Sequence, residues 1–176
     1  MQLGITIPLQ KYLKRKAPSY GEPCDLFFCW ELHVILLRGK STLVAVNANN
    51  RYAIILSGMK ACDWKLMTDC FVEGLTKSLI AEGYTQNQVD RYLDLAGDVE
   101  ITKTHGRKPV AGLNCMNEYL WVIPEPINED ELYQELHSKE VNRMICKAAG
   151  FLETGYPIEF FEEDMRRVGI LPKKTF

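Results

Sequence analysis

Between residues 25 and 58 the apolar positions fall into three runs parted by short polar breaks: "DLFFCWELHVILLRG" (25–39), "STLVAVNA" (41–48) and "RYAIILSG" (51–58). In the first run Trp30, Leu32, Val34 and Leu36 alternate with Glu31, His33, Ile35 and Leu37. That is the period of a strand, covered on one face and partly open on the other at its start. Gly39 and the pair Asn49 and Asn50 supply the positive-φ positions that tight turns require. Three strands this close in sequence predict an antiparallel meander.

The period then lengthens. Trp64, Met67, Phe71, Leu75 and Leu79 recur at three and four, which predicts one helix from Asp63, as its cap, to about Glu82, stopped by Gly83. Gly74 inside it costs about 1 kcal/mol relative to Ala, tolerable where it admits another element. "TQNQ" (85–88) places Thr at a cap and Gln three later, the capping-box pattern. A second helix follows to about Ala96, presenting Val89, Tyr92, Leu93 and Leu95. "DVEIT" (98–102) predicts a short strand. From Val110 a helix carries Leu113, Met116, Asn117, Leu120 and Trp121. Upstream, "PLQKYLKRK" (8–16) predicts a short helix with Leu9, Tyr12 and Leu13 on one face. Beyond the hinge "PEPINEDE" (124–131), three shorter helices are expected at 129–137, 140–149 and 159–168, then a loose tail, "PKKTF".

The expected fold class is therefore α+β: an antiparallel β-meander packed by two or more helices, with a helical C-terminal region. The division is an α+β core over residues 1–123 and a helical, acidic region over 124–176 packed on that core. A separate unit of about 45 residues would be marginal alone.

Composition narrows the class of function. The chain has 176 residues, 47% apolar and 25% charged, with a formal charge of −2. Nothing in the overall charge favours nucleic acid or membrane. No apolar run reaches the ~18 residues of a membrane span. In "MQLGITIPLQKYLKRK" the charges follow the short apolar stretch, whereas a secretory signal places them before one; the expected location is the cytoplasm. Locally the charge is uneven. Lys11, Lys14, Arg15 and Lys16 stand in the first twenty residues without an acid, and residues 125–164 carry eleven acids against Lys139, Arg143 and Lys147. Such opposed regions would suit a homo-oligomer or a charged partner. The six cysteines show no CxxC and sit in apolar contexts, so buried free thiols are expected rather than disulfides or zinc ligands. Cofactor-binding glycine motifs and metal-ligand histidine spacings are both missing, and no cofactor or metal is assigned.

One stretch stands out chemically. In "EITKTHGRKPVAGLN" (100–114) Lys103, Thr104, His105, Arg107 and Lys108 crowd around Gly106. After a strand, consecutive backbone N–H groups there can converge on one point and favour an anion. Arg107 offers a planar fork for phosphate or carboxylate. Pro109 suits the first turn of a following helix, whose N-terminus adds its positive dipole end. The alternative is a solvated turn, with Thr104 capping and Arg107 paired with an acid.

The runs "WELHVILL" and "LVAVNANNRYAIIL", the helix ending "LIAEGYT", and "ITKTHGRKPVAGLN" together resemble an uncharacterised bacterial family, a domain of unknown function. Its members place a Trp/His strand before an Arg-flanked strand that ends in Asn. They close on a Thr-x-Asn-Arg segment with small residues and an Asn seven positions after the Arg. Arg107 and Asn114 keep that spacing, with Ala111 and Gly112 as the small pair; Gly106 stands where the family has Asn. The resemblance covers about residues 28–120 and carries no activity. It implies that Trp30, His33 and Asn47 on the sheet meet Thr104, Arg107 and Asn114 at one end of it.

Three classes of function fit. The first is a non-enzymatic binding or regulatory module whose cleft takes a phosphorylated ligand or nucleic acid. The second is a protein-interaction component, forming a homo-oligomer or pairing with a partner. The third is an enzyme on a small anionic substrate, with His105 or His33 as acid/base.

Overall fold

A strand that periodicity does not announce opens the chain. In the computed structural model, which describes residues 1–173, β1 (Gln2–Ile5) lies inside the sheet, parallel to its neighbours on both sides. Those neighbours are β2 (Cys29–Leu37) and β5 (Glu100–Lys103). β3 (Lys40–Asn47) and β4 (Ala53–Ser57) complete the predicted meander, and the sheet runs β4-β3-β2-β1-β5. Four residues are too few for alternation to register, yet Leu3 and Ile5 are buried on one face while Gln2 and Gly4 turn to the other. The protein is α+β, with a mixed, mostly antiparallel sheet. Part of the "PKKTF" tail, residues 174–176, lies outside the described residues, and the expectation of a loose end there lies outside them too.

The strand period assigns the two faces. Leu3, Trp30, Leu32, Leu43, Ala45, Ile54 and Leu56 form one core with Phe71, Leu75, Leu79, Val89 and Tyr92. These come from α3 (Met67–Ala81) and α4 (Gln86–Ala96). Leu37, Val44, Val46, Ala53 and Ile55 face the other way, onto Leu113, Met116 and Leu120 of α5 (Arg107–Val122). α1 (Ile7–Tyr12) follows β1 directly, capped by the Thr6 side chain.

Local chemistry explains the boundaries. The helix expected from Asp63 is two: α2 (Ala61–Lys65) and α3, parted at the exposed Leu66. Leu66 leaves helical geometry at φ −104° and ψ 28°. Asp63 is not the cap but lies inside the first turn, where its carboxylate accepts the Lys60 N–H at 2.7 Å. Gly74 does admit another element: a Cβ there would lie 2.6 Å from Leu56 Cδ2 on β4. The Thr85–Gln88 capping box forms as read from the sequence, with bonds of 2.9 and 3.4 Å.

The acidic C-terminal residues close the sheet's open edge. Ser57 N–H donates to Leu132 O, Gln134 N–H to Ile55 O, and Ile55 N–H to Ser138 Oγ. Asn142 bonds both the N–H and the C=O of Ala53, at 2.7 and 2.9 Å. Here the helix expected at 129–137 is shifted to α6 (Glu135–Val141). The helix expected at 140–149 is absent. Cys146–Lys147 (β6) pairs antiparallel with Thr154–Gly155 (β7) instead, because Cys146 and Ala148 are buried against Phe160. α7 (Pro157–Arg167) then delivers Phe161 into an aromatic cluster with Phe27, Tyr52 and Tyr92, at centroid distances of 4.6 to 5.9 Å.

Asp164 of α7, buried, accepts from Asn49 Nδ2, Asn50 Nδ2 and Arg167 Nε at 2.8 to 3.0 Å. Asp164→Ala leaves those donors unpaired and is expected to cost about 3 kcal/mol of unfolding free energy, measured by urea denaturation.

Candidate functional site

Glu31 is the one carboxylate of the largely apolar β2, and it is completely buried. It stands in register with Gly4 of β1. A Cβ on Gly4 would lie 2.6 Å from Glu31 Oε2, 2.9 Å from Thr104 Cα and 3.0 Å from His105 Nδ1. The missing side chain is therefore the space in which a carboxylate from β2 and an imidazole from beyond β5 meet over the intervening strand. Glu31 Oε1 accepts the His105 backbone N–H at 2.7 Å and lies 3.0 Å from its Nδ1. His105 Nε2 lies 3.0 Å from Gln2 Oε1, and Gln2 Nε2 donates to Glu22 O at 2.6 Å.

The Gln2 amide nitrogen is directed at a carbonyl, so its oxygen faces the imidazole. Each ring nitrogen of His105 is therefore engaged. Glu31 Oε2 is buried without a hydrogen-bond partner, a costly state for a carboxyl oxygen.

This knot directs the segment around it. With His105 drawn inward, Lys103 and Arg107 are exposed on either side. Gly106 makes the bend at φ 113°, in the left-handed region that favours glycine, and starts α5 with no side chain to cap it. The segment borders a cavity of about 870 Å³. Lys103, Thr104, His105 and Arg107 line one side. The loop from Ala17 to Leu26 lines the other, and Ile5, Ile7 and Val110 add apolar wall. The loop is tied down by Lys103 N–H donating to Ser19 O at 2.9 Å, and by Lys103 Nζ 4.5 Å above the Tyr20 ring. Among the described residues neither Lys103 nor Arg107 forms an ion pair, and Glu22 is the one acid in the lining.

The other residues expected at this site lie elsewhere. Trp30 alternates onto the opposite face of the sheet, where its Nε1–H donates to Tyr92 Oη at 3.1 Å in the core. Asn47 is buried and holds a turn, donating to Phe27 O and accepting the Asn49 and Asn50 N–H groups. His33 bonds Thr6 Oγ1 at 2.8 Å, and burial holds its imidazole below the ordinary value. Asn114 is exposed two helical turns, about 10 Å, beyond Arg107. None of these four lines the cavity. Lys108 turns to a different hollow. The residues that sequence reading missed are Glu31, Gln2, Gly4 and the loop. An acid at an alternating position of an apolar strand, and a glycine inside a short apolar segment, were the available signals.

Two of the thiols expected to be buried, Cys24 and Cys62, are exposed. Cys24 Sγ stands 3.1 Å from Cys29 Sγ, and both residues line the cavity. Burial, and then the neighbouring Cys24 thiol, push the Cys29 thiol upward, which keeps it protonated rather than nucleophilic. Among the described residues no three His, Cys, Asp or Glu are placed to hold a metal ion, and no helix is long and apolar enough to cross a membrane.

The model of one family, described as Domain of unknown function (DUF6933), matches residues 2–160. No curated protein and no solved structure matches the chain.

Gly4→Ala is expected to lose about 2 kcal/mol of stability by overpacking, read in urea unfolding, because two of the three atoms met by the new methyl belong to the Glu31–His105 pair. Glutathione disulfide is expected to oxidise Cys24 and Cys29 to one intramolecular disulfide, releasing two glutathione thiols. Titration of the denatured protein would then find two thiols fewer than the six of the sequence, and Cys24→Ser would prevent the loss.

Proposed function

The chain belongs to the DUF6933 family of domains of unknown function, and from its cavity we propose that it is a non-enzymatic binding module for a small phosphorylated ligand. The observation that carries this reading is the pair Lys103 and Arg107, without carboxylate partners, on the wall of a cavity of about 870 Å³. The uncapped first turn of α5 adds free N–H groups and the positive end of the helix dipole beside them. An anionic group would sit against the guanidinium fork, the ammonium and those N–H groups. Its organic body would meet Ile5, Ile7, Pro18, Leu26 and Val110, the mixture of apolar wall and few polar groups usual for small-molecule sites. A polynucleotide is favoured less, because the loop from Ala17 to Leu26 walls the cavity and contributes Glu22.

Binding rather than catalysis follows from the engaged groups. Both nitrogens of His105 have partners, so neither offers a lone pair to a ligand. His33 does not line the cavity, and the Cys29 thiol is pushed up by burial. We place the module in the bacterial cytoplasm, a setting that six free thiols favour. An interaction role is the second reading, supported by the exposed Trp121 and Val122 at the end of α5. It would show as a concentration-dependent sedimentation coefficient that Trp121→Ala abolishes.

Phenyl phosphate is the probe for the first reading, by titration calorimetry of the full chain. Saturable binding is expected, weakening as salt rises. Arg107→Ala is expected to weaken it about tenfold or more while leaving thermal stability within about 0.5 kcal/mol, as for an exposed side chain. Phenyl phosphate bound with both affinity and stoichiometry unchanged in the Lys103→Ala/Arg107→Ala double variant would end this reading.

A further inference from the structure

On the neighbouring flank of α5 lies a second hollow, of about 400 Å³, lined by Arg51, Lys108, Lys147 and the 148–152 segment. We propose that it is an anion-binding site distinct from the cavity above, taking a phosphate group on Arg51, Lys108 and Lys147.

Arg51 is the fixed element. It stands in the turn between β3 and β4 at φ 64°, a left-handed conformation uncommon for a residue with a side chain. The positive φ falls here and not on the Asn pair, because Asn49 and Asn50 are held by Asp164 and by Asn47 Oδ1. The Arg51 N–H donates to Asn47 O at 3.1 Å. The side chain then runs along α5 in a slot made by Gly112. A Cβ there would lie 2.8 Å from Arg51 Nε, 3.1 Å from its Cγ and 3.2 Å from its Cδ. Two independent local features, a strained backbone and a glycine in a helix interior, are thus spent on holding one guanidinium.

That guanidinium has no anionic partner among the described residues: Arg51 Nε is buried with no hydrogen-bond partner, and Arg51 forms no ion pair. Neither does Lys108 or Lys147. No acidic residue lines the hollow. Cys146, close enough to Arg51 to bond it, does not serve as a counterion. Burial pushes its thiol up to about 11 even against the pull of the guanidinium, so it is neutral near pH 7. Three positive charges from three separate parts of the chain therefore share a small concavity with nothing to neutralise them. Like charges so gathered repel, and a dianion removes that repulsion while satisfying the Arg fork. The size of the hollow and the fork geometry select a phosphate, free or as a small monoester, over a bulky anion. Phe151 and Leu152 at the lining offer apolar contact to a monoester's body.

The test uses the full chain, with a Lys103→Ala/Arg107→Ala variant and a quadruple variant built on it, so that the two hollows are read apart. In the Lys103→Ala/Arg107→Ala protein, inorganic phosphate is expected to bind saturably at one site and to shift the Arg51 Nε–H resonance in the ¹H–¹⁵N spectrum. When Lys108→Ala/Lys147→Ala, both exposed on the surface, is added to that protein, the affinity is expected to fall about tenfold or more and the shift to vanish. Arg51→Lys, which keeps the charge but loses the fork, is expected to weaken binding as well. Phenyl phosphate binding more tightly than inorganic phosphate would identify the source as a phosphorylated small molecule; equal affinity would identify phosphate itself. The proposal is overturned if phosphate leaves the Arg51 resonance unmoved, or if the quadruple variant binds phosphate as the Lys103→Ala/Arg107→Ala protein does. Loss of the first cavity's binding alone would leave this site standing, and the reverse outcome would remove only this one.

Discussion

The functional end of this protein hangs on a buried carboxylate that crosses a strand. Glu31 lies at the centre of the sheet, where an acid is tolerated only if its oxygens find donors. The backbone N–H and ring of His105 provide them for one oxygen, and they reach it only because Gly4 leaves the intervening strand bare. Once His105 is pinned, the rest of the segment has little freedom. β5 has just ended, Gly106 must turn at a positive φ, and α5 begins without a capping side chain. Gln2 extends the same network to the loop that walls the cavity. A single polar contact inside an apolar sheet thereby sets the position of the cationic bend, the start of a 16-residue helix and one wall of the 870 Å³ cavity.

The first turn of α5 then divides the positive charge. Arg107 and Val110 face one hollow, and Lys108 and Ala111, each one residue later, face another. A rotation of roughly 100° per residue is enough to send adjacent side chains to different places. The two hollows differ in character. The larger has apolar walls, a buried polar floor and an acid at its side; in the smaller the only charged lining residues are cationic, and one guanidinium is seated in a helix groove. No acid of the C-terminal region lines either hollow, and several of its carboxylates are engaged elsewhere. Asp164 holds the β3–β4 turn, Glu129 pairs with Lys40, and Glu131 with Lys77.

Periodicity was a good guide wherever an element had one apolar face and enough length. The three strands of the meander, α4 with its capping box, and the helix through Leu113, Met116 and Leu120 were all legible in this way. It failed for short or doubly constrained pieces. β1 has four residues and no alternation long enough to notice. The segment 140–149 has helical composition, yet Asn142 is committed to the edge of β4 and Cys146 to Phe160. The cationic bend was legible as a cluster because its residues are consecutive. Its partners were not, since Gln2, Glu31 and Cys29 are brought to it only by the parallel insertion of β1. Trp30 and Asn47, attractive as polar-tipped residues on the sheet, were drawn into the core and a turn, where their hydrogen bonds are structural.

By itself, then, the chain determined the strands of the meander and the longer amphipathic helices, which of their faces are apolar, and that lysine and arginine crowd around Gly106. Those properties are local, and hydrophobic period and turn chemistry encode them within a dozen residues. Only the tertiary structure decided that a carboxylate and an imidazole 74 positions apart share a hydrogen bond. It alone placed Arg51 in a groove of a distant helix, and sent neighbouring cations to separate hollows. These outcomes depend on strand order and on two glycines whose significance is the atom they lack, and neither has any signature in the spacing of residues along the chain.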